Sequence, residues 1–258
     1  MTMKTNTNPA VTGRLVRGAQ RAARATTVVL AVATLAGCEV TNPGPVQDEF
    51  LNEAAAHEGL VHGAASLLAQ TVNGLLIVTG HMAREIFPSG QGGPGGVGPI
   101  MGAGHLDEGD SPKWGDAQAA RWVAEDALER FGNSDNESPT TVNHVQAYLW
   151  AGYANERLGE TFCDAVFDGG GKGPNSAYFE RAEGHFTSAI AMAAGEQLTA
   201  AYAGRAQARA WLDKWSGAAS DAAQVPIDYL LVLPADLQAS GKQLINFVYD
   251  GNANLPHR

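Results

Sequence analysis

From Asp48 onward, apolar residues recur every three or four positions, in segments separated by glycine- and proline-rich breaks. Spacing of that kind lines one face of an α-helix, and helices so built must bury those faces against one another. Phe50, Leu51, Ala54 and Ala55 open the pattern, and Leu60, Ala64, Leu67, Leu68, Leu75 and Ile77 extend it. The spacing predicts one short and one long helix, ending near Phe87-Pro88. Eight glycines and two prolines fill residues 89–105, a loop too flexible to carry regular structure.

Helical spacing returns after Asp110-Ser111-Pro112, a helix-start signal, and runs from Trp114 to Phe131 before Gly132-Asn133. Ser138-Pro139 is expected to open another helix and Gly159 to end it. A second glycine loop covers 168–173. Helices are then predicted over 178–193, 197–215 and 216–224, followed by the apolar runs Tyr229–Leu233 and Leu244–Tyr249. The fold expected is mainly α.

Alanine is abundant in these helices, which permits close helix approach. Two neighbouring pairs share a design: Tyr148–Tyr153 with Ala182–Ala189, and Tyr202–Ala206 with Trp215–Ala222. Each has a small residue in the middle of its first helix and spaced alanines in its second. This pattern resembles tetratricopeptide repeats, and it implies an α-α superhelix of helix pairs with long glycine-rich loops. A single pair cannot bury its apolar face, so pairs stack. Residues 162–176 form an insertion within the first pair.

The N-terminus has different physics. Residues 1–24 carry Lys4, Arg14, Arg17, Arg21 and Arg24 and no acid, followed by the apolar run Ala25–Thr34 and by Leu35-Ala36-Gly37-Cys38. A basic region, a short apolar core and a small-residue cleavage site describe an export signal. The apolar run falls short of the roughly 20 residues that span a bilayer, and no later stretch is expected to reach that length. Leu-Ala-Gly-Cys resembles the bacterial lipobox. The resemblance implies a signal peptide over 1–37, acylation of Cys38 and a tether over 38–47, broken by Pro43, Gly44 and Pro45. A helical domain over 48–258 would follow. Glu39 stands where aspartate would favour inner-membrane retention.

Cleavage before Cys38 leaves 221 residues with all 27 acids and 12 of the 17 bases, a net charge of −15. Such a surface repels phosphate backbones and anionic lipid, so nucleic-acid binding is excluded and membrane attachment falls to the lipid. With Cys38 acylated, Cys163 has no intrachain partner. Beside apolar neighbours in Glu160-Thr-Phe-Cys163, it reads as a small buried core residue.

Catalytic signatures are absent: no Gly-x-Ser-x-Gly, no His-Glu-x-x-His, and no Ser or Thr after Lys172 in its glycine loop. No enzyme activity and no cofactor are assigned, and any acid–base pair would have to come from residues read as solvated, such as Asp107 or Glu125. His105, Asp107, Glu108 and Asp110 lie at a spacing calcium can use, but the EF-hand pattern is missing. An acidic loop before a helix start is stabilising in itself, so no metal site is assigned. His57, His62, His81 and His144 read as solvated or satisfied. Trp150 and Tyr153, three apart, are expected to pack between repeats. Trp114, at a helix start beside the glycine loop, is the tryptophan expected to be most exposed and the candidate for ligand contact.

Taken in order, the lipobox, Glu39–Gly44, the acidic-apolar Asp48–Leu51, Leu60–Ala64, Tyr153–Cys163 and the helix pairs resemble the SusD/RagB family of nutrient-uptake outer-membrane lipoproteins. The resemblance implies a surface lipoprotein of the outer membrane that captures an oligosaccharide or peptide. It would sit over a TonB-dependent transporter of the SusC type, which its repeats would contact. Members of that family are typically longer, so it implies a short or truncated member matching the N-terminal part of the fold. The alternative is a lipid-anchored tetratricopeptide-like scaffold for envelope proteins.

Overall fold

A computed structural model describes residues 47–85, 103–105, 113–133 and 135–233. The signal, Cys38, the tether up to residue 46, most of the first glycine loop, the acids at 107–110 and the run at 244–249 lie outside the described residues.

The described chain is mainly helical, as its spacing predicts. A 3-10 turn, Asp48–Asn52, leads into α1 (Ala54–Met82). Next come α2 (Trp114–Gly132) and α3 (Thr141–Thr161). A two-residue antiparallel ladder follows, β1 (Asp164–Ala165) against β2 (Gly173–Pro174), with Asp164 opposite Pro174. Then come α4 (Ser176–Met192), α5 (Gly195–Trp211) and α6 (Trp215–Ala222). Each helix packs on the next, and α1 packs also on α3 and α3 on α5. These are three stacked hairpins, α1–α2, α3–α4 and α5–α6, whose first helices adjoin one another. The two pairs legible in the sequence are the second and third.

Small residues set the spacing. Phe186 of α4 is fully buried between α3 and α5. A Cβ on Gly152 of α3 would meet its ring at 2.6 Å, and one on Gly204 of α5 at 2.3 Å. One turn-pair along, a Cβ on Gly159 would meet Phe179 at 2.7 Å, and Phe179 stacks on Trp211. Gly159 therefore does not end its helix. It lies buried within α3, which continues to Thr161, because the Phe179 ring needs the space its side chain would fill.

Other boundaries shift for local reasons. α3 starts at Thr141 rather than after Pro139, since Thr140 caps it, its Oγ1 accepting from Asn143 N at 3.2 Å. The helix predicted over 197–215 stops at Trp211. Asp213 adopts φ 59°, a left-handed turn that Asp tolerates, and the chain reverses so that α6 can pack back on α5. α1 is long and apolar enough to cross a membrane by length and composition, although no such stretch is expected from the sequence. Its apolar residues Val61, Ala64 and Leu68 are buried in the helix stack, and Leu76 is exposed.

Among the described residues, one wholly buried acid is left uncompensated. Glu156 of α3 is wholly buried, and among the described residues neither carboxylate oxygen has a hydrogen-bond partner. Burial drives its carboxyl well above the usual range; Arg157 and the nearby Ala208 backbone oppose this and Glu160 adds to it. A raised folded value contributes stability below the unfolded carboxyl pKa, and that contribution is lost as pH rises through the folded value. Glu156→Gln is therefore expected to raise Tm above wild type at pH 8 and to match it near pH 4, read by circular dichroism melts. A pH-independent difference would contradict this.

Candidate functional site

α2 carries Trp114, Gln118, Arg121, Trp122 and Glu125 at intervals that place them along one side of the helix. The insertion between α3 and α4 folds back onto that side through β1, β2 and the turn between them. It brings Phe162, Val166, Phe167 and Asp168 against α2. A recess of about 410 Å³ results, lined by Trp114, Gln118, Arg121, Trp122, Val166 and Asp168.

Its walls are held by a polar network. The Gln118 amide donates to the Val166 carbonyl at 3.1 Å and to Tyr178 Oη at 2.7 Å. Tyr178 Oη in turn donates to the Val166 carbonyl at 3.0 Å and accepts from Val166 N at 3.1 Å. The Arg121 side chain, only 3% exposed, reaches three acceptors: Gln118 Oε1 at 3.0 Å, Glu125 Oε2, and Asp168 Oδ1 at 2.8 Å. Asp168 sits in the left-handed region at φ 50°, so its carboxylate turns back onto Arg121. The Arg181 guanidinium lies 4.0 Å from the Phe167 ring centroid.

Glu125 is the node of this network. It accepts from Arg121, from Arg181 at 2.8 Å, from Asn155 Nδ2 at 2.9 Å and from His185 Nε2 at 3.2 Å. Burial works against its charged form, but hydrogen bonds from His185 and Asn155, with the charges of Arg121 and Arg181, outweigh it. Its carboxyl is pulled down to about 2. Glu125 is thus not the solvated residue expected from the sequence: side chains from α3 and α4 close over it. With four donors holding it ionised, it is poorly placed to move a proton. The recess in front offers two indoles and a half-exposed carboxylate, a combination suited to stacking and hydrogen-bonding a polar ligand.

Trp114 does line this recess, but it is not the most exposed tryptophan. Phe162 packs edge-on against it at 4.7 Å and half-buries it. Trp122, Trp211 and Trp215 are exposed by 53%, 55% and 64%. Trp122 reads as core from its helical spacing, yet it opens to solvent beside Trp114; its position two turns further along the same helix side was the available signal. Tyr153 is buried as expected and donates to the Ala200 carbonyl at 2.7 Å, and Trp150 packs against the interior clusters.

His57 is neither solvated nor satisfied: it is buried edge-on to Phe131 at 4.7 Å, and among the described residues neither ring nitrogen has a hydrogen-bond partner. His81 is buried, with its Nδ1 2.6 Å from the Ile77 carbonyl, and His144 stacks on Tyr148. Of the acidic cluster before α2, only His105 is described, and it is exposed. The loop bearing Lys172 is the turn of the small hairpin, and Lys172 pairs with Asp164 at 2.9 Å.

Cys163 is exposed, against the buried residue expected, because α3 ends at Thr161 and the chain turns outward before β1. It should therefore react with a thiol reagent such as dithionitrobenzoate in the folded protein, at a rate close to that of the unfolded chain. Protection until denaturant is added would contradict that.

No family model, curated protein or solved structure matches this chain. The resemblance to the SusD/RagB family thus rests on the sequence motifs alone.

Proposed function

We propose that this chain is an outer-membrane surface lipoprotein that captures a nutrient, an oligosaccharide or a peptide, and passes it to a TonB-dependent transporter of the SusC type. The observation that carries the capture step is the recess between α2 and the hairpin. It joins two indoles, Trp114 and Trp122, to the Asp168 carboxylate over a rigid ion-pair network. Indole faces stack on the apolar faces of sugar rings or on peptide side chains, and the carboxylate accepts from hydroxyls or amides. The anchor comes from the Leu35–Cys38 motif and the partner from the family resemblance. The exposed Trp211 and Trp215 on the last hairpin favour a second reading, a lipid-anchored scaffold that docks envelope proteins.

The test is binding of the mature chain to an oligosaccharide array and a peptide library, followed by titration of each hit against Trp114→Ala and Trp122→Ala. Trp122→Ala should weaken binding by about tenfold or more and leave Tm unchanged, because its ring is exposed. Hits that bind both variants as tightly as wild type would remove the recess as the capture site. No hits, with co-purification of a non-transporter partner, would favour the scaffold.

A further inference from the structure

The polar groups around the recess on α2 are unequally available to a ligand. The Arg121 side chain is 3% exposed and spends its guanidinium on Gln118, Glu125 and Asp168. The Asp168 side chain is 58% exposed and meets Arg121 through Oδ1; among the described residues its Oδ2 takes no hydrogen bond. The Gln118 amide nitrogen is spent as well, on the Val166 carbonyl and Tyr178 Oη. A ligand in the recess therefore meets one open carboxylate oxygen, with the amide and guanidinium donors around it already engaged. That is a place for a donor that carries positive charge, and an anion finds little there to pair with.

The aromatic walls favour the same chemistry. Trp114 and Trp122 stand eight residues apart on one side of α2, about 12 Å along the axis. The face of an indole carries negative potential and attracts cations more strongly than any other side-chain ring. Among the described residues, no basic side chain lies over either indole. Lys113, next to Trp114 in sequence, is engaged elsewhere: its stem lies against Gly74 of α1 and its ammonium pairs with Asp116 at 3.7 Å. The Phe167 ring of the same hairpin, by contrast, is supplied with a cation from within the chain, the Arg181 guanidinium. With 27 acidic and 17 basic residues, the chain as a whole also draws cations toward it. Resting on the reading of this recess as the capture site, we propose that it selects ligands bearing a cationic nitrogen, carried on a basic peptide side chain or on an amino sugar. The cation seats at Asp168 Oδ2, and the atoms beside it lie on the indoles. A neutral ligand gains the stacking without the charge, and an acidic one is repelled by Asp168.

The test is isothermal titration calorimetry of the full chain with two matched pairs of probes. One pair is a capped Ala-Ala-Lys-Ala-Ala peptide and its Nε-acetyl-lysine form; the other is a glucosamine tetramer and its N-acetylated form. In at least one pair the cationic member should bind roughly tenfold tighter at low salt, and that pair names the carrier. The difference should shrink as salt is added. Asp168→Asn should abolish it, because asparagine keeps an acceptor for Arg121 and tolerates the left-handed backbone at φ 50°. If that variant does not fold, Trp122→Ala decides: its ring is exposed, and its loss should weaken the cationic probe severalfold. Equal binding within both pairs, no binding of either cationic probe, or a preference that survives Asp168→Asn would overturn the proposal. Acetylated probes that bind as tightly as cationic ones, and lose affinity in Trp122→Ala, would leave the capture reading standing while the preference for cations falls. Probes that bind wild type and Trp122→Ala alike would remove the recess itself.

Discussion

Replacing Phe186 with Ala is expected to lower the unfolding free energy by about 3–5 kcal/mol, the upper range for truncating a buried aromatic. The position is unusual in that two of the walls around the ring are backbone. Gly152 and Gly204 face Phe186 from α3 and α5, so the helices cannot slide inward far enough to refill the space. Tyr153, edge-on at 4.9 Å, loses its ring partner as well. The reciprocal change, Gly204→Ala, places a methyl where the ring stands. It gains up to about 1 kcal/mol of helix propensity but forces the helices apart, for a net loss of about 1–3 kcal/mol. Chemical denaturation followed by circular dichroism measures both. The double variant Phe186→Leu/Gly204→Ala should be more stable than the sum of its single losses, since the smaller side chain makes room for the methyl. A Phe186→Ala loss below about 1 kcal/mol would mean the slot is not rigid.

The second large effect belongs to Glu125. Its carboxyl lies at about 2 in the folded chain against an ordinary 4.5. A depressed folded value contributes stability above the unfolded pKa, and the contribution is lost as pH falls toward the folded value. The difference corresponds to about 3 kcal/mol, lost between about pH 5 and pH 2. Glu125→Gln removes that dependence and leaves the buried Arg121 guanidinium with Asp168 alone as its ionic partner. A cost of about 3–5 kcal/mol at pH 7 follows, as for breaking one side of a buried ion pair. Unfolding free energies from pH 2 to 7 should fall steeply with acid in wild type and much less in Glu125→Gln. Parallel curves would show that the four donors do not hold the charge.

The helices were legible because their apolar faces repeat with one period from Ala54 through Ala222, and the hairpin pairing because Gly152 and Gly204 occupy equivalent places. What escaped is long-range. Gly159 looks like a helix terminator in sequence; only the approach of Phe179 from the next helix shows that its missing side chain is needed for packing. Glu125 looks like an ordinary solvated carboxylate. The return of Phe167 and Asp168 covers its partner Arg121, and no local rule predicts that return. The same return covers Trp114 with Phe162 and leaves Trp122 open, which exchanges the expected exposures of the two indoles. The apolar run at 229–233 was visible, but the surface that Tyr229, Leu231 and Leu233 pack on is assembled from three helices far apart in sequence.

Anchoring is the premise on which capture for a transporter depends, because a subunit lost from the membrane cannot hand on its cargo. Intact-mass and peptide mass spectrometry of the protein extracted from native membranes tests it directly. The expected species is a chain that begins at Cys38, with acyl groups on that residue and residues 1–37 removed. A chain that begins elsewhere, or that carries an unmodified Cys38, would contradict it.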